Sequence, residues 1–357
     1  MKKIILTGGG TAGHVTPNIA LLPLLNENHY EISYIGSYTG IEKELIEEQG
    51  IPYTGISSGK LRRYFDVKNF TDPFRVIRGY FQARRTMKRI RPDVVFSKGG
   101  FVAVPVVLAA AHLHIPVICH ESDLTPGLAN KLAIPSATKV CCNFPETQAY
   151  LPEGKSVLTG SPIRRELLSG DPAIGRALCG FTDEKPVLMI IGGSSGAVAV
   201  NQAVRACLDH LLETFQIIHL CGSGNLDASL TGKNGYTQFE YVKDDLRHLF
   251  AAADLLISRA GANAICEILA LRKPNILIPL PKGASRGDQI LNAESFERSG
   301  YSYLLRQEDL TEETLLAAVS HVYENRTAYQ AAMAKSPLSN AAQIIVDLIN
   351  EVSGNVS

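Results

Sequence analysis

Two stretches of the chain open in the same way, with an apolar run, a glycine-rich turn and a helix-length segment. They read "KKIILTGGGTAGHVTPN" from Lys2 and "KPVLMIIGGSSGAVAVNQAV" from Lys185. After the first come the short runs "EISYIG", "DVVFSK", "IPVICH" and "TKVCCN"; after the second come "QIIHLCG", "QFEYVK", "LLISRA" and "NILIPLP". Most are nearly continuous in apolar residues, as strands covered on both faces of a parallel sheet must be. Their alternation with helix-length segments predicts a doubly wound α/β architecture. The restart predicts two Rossmann-like domains, residues 1–162 and 163–357, with a soft boundary region near 160–185. A length of 357 residues also exceeds what most single cores support. The last helical segment, about Thr327 to Val352, has no strand after it and is expected to pack back across the first domain.

Composition narrows the class. Lys plus Arg equal Asp plus Glu, 35 each, which argues against a general nucleic-acid binder. Seven cysteines form no C-x-x-C pair and no metal-type spacing, so buried reduced thiols are expected. "MKKIIL" runs directly into the glycine turn, which leaves no room for a signal-peptide core. The longest apolar stretch, "FVAVPVVLAAAHLHIPVIC", holds two prolines and two histidines. It reads as a helix feeding a strand, not as a span of about 20 apolar residues. Any membrane contact is therefore expected to be peripheral.

From Gly8 the first turn fits G-x-G-x-x-G, a pattern in which backbone N–H groups and a helix N-terminus hold a phosphate. The dinucleotide version also needs an acidic residue at the end of the second strand for the ribose. That strand ends here in Gly36 and Ser37, so a nicotinamide-type reading fails. His14 sits inside the turn, and two readings stand: a helix-start histidine satisfied locally, or a general base able to take a hydroxyl proton near neutral pH. In the second half, "GGSSGA" supplies another anion-type turn with Ser194 and Ser195. In "SRAGANAICEIL" small residues precede Glu267, either an ordinary solvated glutamate or a carboxylate that accepts two ribose hydroxyls. "PLPKGASRGDQILNA" carries Lys282, Arg286, Asp288 and Gln289, and "GSPIRREL" carries Arg164 and Arg165, suited to a diphosphate or to surface ion pairs. No D-x-D, H-E-x-x-H or Cys/His cluster occurs, nor a G-x-x-x-x-G-K-[ST] loop. Phosphate charge is thus expected to be met by helix ends and basic side chains, with no cofactor and no tightly bound metal.

Taken in order, "TGGGTAGHVTPN", "SKGGFVAVP", "HESDLTPGLANK", "TGSPIR", "GGSSGA", "SRAGANAICEI" and "GDQILNA" closely resemble the MurG family. The resemblance implies a GT-B fold, two Rossmann-like domains with parallel sheets facing across a cleft. It implies inverting transfer of N-acetylglucosamine from UDP-N-acetylglucosamine to the 4-hydroxyl of MurNAc in lipid I, forming lipid II. It places Thr11, Ala12 and Gly13 at the donor sugar and acceptor diphosphate, with His14 or Glu121 as the base. Arg164 and Ser194 match diphosphate and nucleotide contacts, and Val242 the apolar contact to uracil. Ala262, Asn263, Ala264, Ile265, Cys266 and Glu267 match the uridine-side helix start, and Gln289 and Asn292 the motif near the donor sugar. The family's H-E-Q-N stands here as His120, Glu121, Ser122 and Asp123, which puts a carboxylate in place of an amide. That departure leaves room for another lipid-linked acceptor, or for a weakly catalytic UDP-sugar-binding scaffold.

Between Lys60 and Arg91 lie eleven Lys and Arg against Asp66 and Asp72, a net charge of +9 in a neutral chain. Phe74, Ile77, Phe81 and, less regularly, Met87 and Ile90 share a helix face in this reading. One account is a core-facing stripe with a solvated basic back. The favoured account is docking on an anionic membrane surface, each basic residue gaining about 1 kcal/mol near the lipid. A lipid-anchored acceptor requires such docking, at the cytoplasmic face of the cell membrane, and nothing else in the sequence supports nucleic acid.

Overall fold

The structure is a computed structural model that describes residues 1–59, 68–193, 196–283 and 287–354. The chain divides into two compact units, Met1–Arg164 with Asn340–Ser357, and Arg165–Ser339. In the first, one sheet holds β1 (Lys3–Thr7), β2 (Glu31–Ser37), β3 (Tyr53–Ile56), β4 (Val94–Ser97), β5 (Val117–Glu121), β6 (Lys139–Cys142) and β7 (Ser156–Leu158). In the second, the sheet holds β8 (Val187–Ile191), β9 (Gln216–Leu220), β10 (Tyr236–Phe239), β11 (Leu255–Ser258), β12 (Asn275–Leu277) and β13 (Tyr303–Leu304).

Every pairing is parallel, in the orders β3-β2-β1-β4-β5-β6-β7 and β10-β9-β8-β11-β12-β13. In both sheets the chain steps outward from its first strand, then returns past it and builds the other side. The winding reverses between β1 and β4 in one sheet and between β8 and β11 in the other. Two Rossmann-like domains follow. The edge strands β3, β7 and β13 escape the sequence pattern because they are short and mostly half-buried, which removes the continuous apolar signal.

Alternation along β1 supplies both faces of the first sheet. Ile4 and Leu6 join Leu21 and Leu25 of α1 (Thr16–Glu27) in one core cluster. Ile5 joins Val95 and Cys119 in the other, under Ala83 and Met87 of a helix at Lys68–Ile90 and Val106 and Ala110 of a helix at Ala103–His112. The first cluster also contains Ile345, Val346, Ile349 and Val352 of the C-terminal helix Ala341–Gly354. The helical stretch expected from Thr327 to Val352 is interrupted. A helix ends at Ala334, Pro337 opens a separate short turn, and the C-terminal helix begins at Ala341, since proline cannot continue a helical hydrogen-bond ladder. Tyr30 Oη donates to Asn350 Oδ1 at 2.9 Å and Lys2 Nζ to Ser353 Oγ at 3.0 Å, tying that helix to the first domain.

All seven cysteines are buried and none forms a disulfide. Burial pushes the Cys119 and Cys141 thiols up to about 12, which keeps them protonated and inert. Among the described residues no helix is long and apolar enough to cross a membrane.

Ile349 is fully buried between the C-terminal helix and the first sheet. Ile349→Ala is expected to remove about 2–5 kcal/mol from the stability of the first domain, read as a lower urea midpoint; an unchanged midpoint would show that the helix contributes no packing there.

Candidate functional site

In a doubly wound sheet, ligands gather outside the carboxyl ends of the strands where the winding reverses. In the first domain that place is the turn after β1, beside the turns after β4 and β5. A helix, α2 (Ile41–Glu47), lies beneath the first of these turns. Its Glu42 is fully buried. The carboxylate accepts from Ser37 N at 3.0 Å, Ser37 Oγ at 2.5 Å and Gly10 N at 3.1 Å. A Cβ on Gly9 would sit 2.5 Å from Glu42 Cδ, and one on Gly100 2.2 Å from the Gly9 carbonyl oxygen. Glycine is required at both positions so that the two turns can interlock over that carboxylate. From the other side, Tyr34 Oη donates to the Gly8 carbonyl at 2.8 Å, and Asn18 Nδ2 to Tyr34 Oη and the Thr7 carbonyl, both at 3.2 Å. Burial raises the Tyr34 pKa well above that of an ordinary phenol, so its hydroxyl stays a donor.

On this rigid base Thr11 and Ala12 are exposed and Gly13 and His14 half-buried. His14 Nδ1 lies 3.0 Å from Thr11 Oγ1. With a proton on Nδ1 donated to that hydroxyl, Nε2 keeps the lone pair a general base uses. Residues 12–14 form a short turn that leads into α1, which places His14 at the carboxyl end of β1.

Glu121 has another occupation. It is buried at the end of β5, where Oε1 accepts from Asp123 N at 3.0 Å and Oε2 from Gly127 N at 3.0 Å and Asn130 Nδ2 at 2.8 Å. Burial raises its pKa above the ordinary carboxylate value, and those donors work against the rise. The carboxylate braces the 122–127 loop, which carries the half-buried Asp123. Arg164 is half-buried at the last residue of the first unit's main segment.

In the second domain the corresponding edge follows β8, β11 and β12. Ser194 lies outside the described residues, as does Arg286. The helix Ala262–Leu271 starts directly after Gly261. Ala262, Asn263 and Ala264 are half-buried in its first turn, where backbone N–H groups lack helical partners. Ile265 and Cys266 turn their side chains into the core, while Glu267 stays half-buried. Ile265 N is bonded to the Gly261 carbonyl at 3.1 Å, which closes the first helical turn. Gln289 is half-buried, and its Oε1 accepts from Leu280 N at 3.1 Å. Asn292 is fully buried with Nδ2 3.3 Å from the Ala260 carbonyl, holding the turn after β11 from below. Val242 is half-buried in the loop after β10.

Two charged residues that sequence reasoning missed hold the first edge together: Glu42 and Lys98, the latter 1% exposed at the end of β4. Lys98 in "SKGG" has a readable signal, a lysine directly after a mostly apolar strand. Glu42 had none, since it stands among other glutamates in "IEKELIEE".

The chain's similarity to known proteins accords with this geometry. Residues 4–142 match the glycosyltransferase family 28 N-terminal domain and residues 187–349 the family 28 C-terminal domain. A protein of Lachnospira eligens named UDP-N-acetylglucosamine--N-acetylmuramyl-(pentapeptide) pyrophosphoryl-undecaprenol N-acetylglucosamine transferase is 65% identical over 353 residues, 99% of this chain and all of that one. A protein of the same name from Lachnoclostridium phytofermentans is also 65% identical, over 99% of both chains. Among solved structures, MurG of Acinetobacter baumannii is 28% identical with a TM-score of 0.79, over 98% of this chain and all of that one.

Below the second edge a buried chain of hydrogen bonds fixes His219. Asn201 Nδ2 donates to the Cys221 carbonyl at 2.9 Å, so its Oδ1, 3.0 Å from His219 Nε2, accepts from the ring; Nδ1 then accepts from Tyr236 Oη at 3.0 Å. Burial, aided by the Arg205 charge, lowers the His219 pKa from 6.5 to about 3. The unfolded chain takes up this proton below pH 6.5 and the folded chain only near pH 3, so stability is lost as pH falls through that window. Between pH 7 and pH 5 this ring accounts for about 2 kcal/mol of loss. Urea titrations of His219→Gln are expected to show a pH-dependent loss smaller by that amount; an equal loss contradicts the buried neutral ring.

Proposed function

The chain belongs to glycosyltransferase family 28 and, within it, to the MurG group; on that premise we propose that it moves N-acetylglucosamine from UDP-N-acetylglucosamine to lipid I, with inversion, to give lipid II. The observation that carries this is the 65% identity, end to end, to transferases named for that reaction. The same identity favours lipid I over another lipid-linked acceptor, and a transferase over a scaffold.

In this reading the turn at Gly10–Gly13 receives the acceptor diphosphate. His14 Nε2 takes the proton of the MurNAc 4-hydroxyl, O4 attacks the anomeric carbon, and UDP leaves with the bonding electron pair. His14 is preferred to Glu121 because the Glu121 oxygens already serve donors of their own loop. The second domain grips the donor: the Ala262–Ala264 amides toward the nucleotide, Glu267 toward the ribose, Gln289 near the sugar, and Val242 toward the uracil. Arg164 and Ser194 complete the diphosphate contacts. Helix ends and basic side chains are assigned the diphosphate charge in this reading.

Docking at the cytoplasmic face of the membrane falls to the helix Lys68–Ile90, α3 in chain order. Phe74, Ile77 and Phe81 are 74%, 53% and 60% exposed, and Arg75, Arg78, Arg85, Lys88 and Arg89 are exposed with them. At 3.6 residues per turn, positions 74, 77, 78, 81, 85 and 88 share one face. Three apolar side chains thus stand in water within a basic frame, the reverse of a core-facing stripe. Met87 is buried and Ile90 packs on the core, so the face set out from sequence splits: those two belong to the inner side. Lys60 to Val67 lie outside the described residues.

Two measurements test this section. UDP release from UDP-N-acetylglucosamine should depend on a soluble lipid I analogue, and His14→Ala should lower kcat by roughly 10²–10⁴; release that ignores either the acceptor or the mutation sinks the mechanism. Flotation with anionic vesicles should weaken at least tenfold in Phe74→Asp/Phe81→Asp and fade with added salt, while turnover of a soluble acceptor stays unchanged. Binding that survives both moves the docking surface elsewhere.

A further inference from the structure

Lys98 ends β4 almost wholly out of water, and a buried ammonium demands acceptors. Its Nζ lies 2.8 Å from His120 Nδ1 and also bonds Ser122 Oγ. The other ring nitrogen of His120, Nε2, is 2.9 Å from the Gly160 carbonyl oxygen, which only accepts. The ring proton therefore sits on Nε2, and Nδ1 presents a lone pair to the ammonium. Burial, reinforced by the Lys98 charge, holds the His120 pKa well below its ordinary value, so the ring stays a neutral acceptor that locks Nζ in place.

The consequence falls on Ser122. An ammonium only donates, so the Ser122 oxygen accepts and its own hydrogen must turn to a different partner. Ser122 is half-buried in the loop after β5. Its backbone is held on both sides: Asn143 Nδ2 donates to its carbonyl at 2.8 Å, and Glu121 clamps the next residue through Asp123 N. The glycine turns adjoin it through Lys98, whose Cβ packs against Gly8 while Gly100 meets Gly9. A hydroxyl whose oxygen accepts from a fixed cation is a polarised, stronger donor, and the length of the Lys98 side chain is what separates it from Gly8 in the turn after β1.

We propose that Ser122 is a binding residue for the acceptor diphosphate, its hydroxyl donating to a phosphate oxygen, and that Lys98, with His120 behind it, is the positioning residue that orients and polarises that hydroxyl. The proposal rests on the transferase reading above. It also gives the Ser122–Asp123 departure a chemical sense: the donor lost with an amide returns as a hydroxyl backed by a buried charge.

Steady-state kinetics with two soluble acceptors test it, one carrying the sugar–diphosphate and one a muramyl peptide without phosphate. Ser122→Ala should raise KM for the diphosphate acceptor about tenfold and leave kcat and donor KM unchanged, with Tm somewhat lowered because the buried Lys98 ammonium loses an acceptor. Ser122→Thr, which keeps the hydroxyl, should restore it. With the phosphate-free acceptor, wild type and Ser122→Ala should be alike. Lys98→Met, if it folds, should raise the same KM, and adding Ser122→Ala to it should do little more. A KM within twofold of wild type, or no rescue by threonine, overturns the proposal. A penalty that persists without phosphate moves the bond to the sugar or peptide and overturns the assignment to the diphosphate. Wild-type protein that transfers nothing to either acceptor refutes instead the function on which the proposal rests.

Discussion

A parallel strand cannot follow its neighbour without a crossover, and each crossover returns the chain to the same end of the sheet. Every loop that leaves a strand's carboxyl end therefore emerges at one edge. In the first domain that edge collects the turns after β1, β4 and β5; in the second, those after β8, β11 and β12. The functional residues come from distant parts of the sequence, yet the winding leaves them nowhere else to be. The reversal of winding then opens a gap at β1 and β4, and at β8 and β11, into which a helix N-terminus and a glycine turn can face a phosphate.

Apolar packing holds the strands, but it cannot hold these loops, whose backbone groups need partners. Buried polar side chains take that task. Glu42 accepts three donors under the first glycine turn, Glu121 three in the loop after β5, and Lys98 sits between His120 and Ser122. In the second domain Asn292 holds the turn after β11, and Arg259 Nη1 donates to the carbonyls of Ile278 and Pro279 at 2.9 and 3.2 Å. Each brace places a rigid support behind a loop at the carboxyl end of the sheet, the arrangement that precise placement of reacting groups requires.

Legibility in the sequence follows the physics of each signal. The glycine turns, His14 and the helix start at Ala262 were readable, because a turn after an apolar run has only a few possible residues. The position of Phe74, Ile77 and Phe81 was readable as a stripe, but not its direction. Periodicity says that residues share a face and not whether another element covers it, which is why Met87 and Ile90 were grouped with them. Ile265 and Cys266 belong to the ligand motif by sequence, and the helix buries both of their side chains. Glu121, a base candidate from its motif, turned out to be enclosed by donors only six to nine residues ahead.

Hydrophobic periodicity and backbone freedom are local properties, so the two Rossmann-like domains, the glycine turns at their first strands and the concentration of charge between residues 60 and 91 are legible in the order of residues alone. Which charged groups become supports, and which face of the long basic helix meets water, is settled by packing across the fold. Those outcomes depend on partners far apart along the chain: Gly10 with Glu42 at a separation of 32, Lys98 with His120 at 22, His120 with Gly160 at 40. A carboxylate or an ammonium looks the same in sequence whether it is solvated or enclosed. Its role is fixed by what the fold brings within hydrogen-bonding distance after water has been removed.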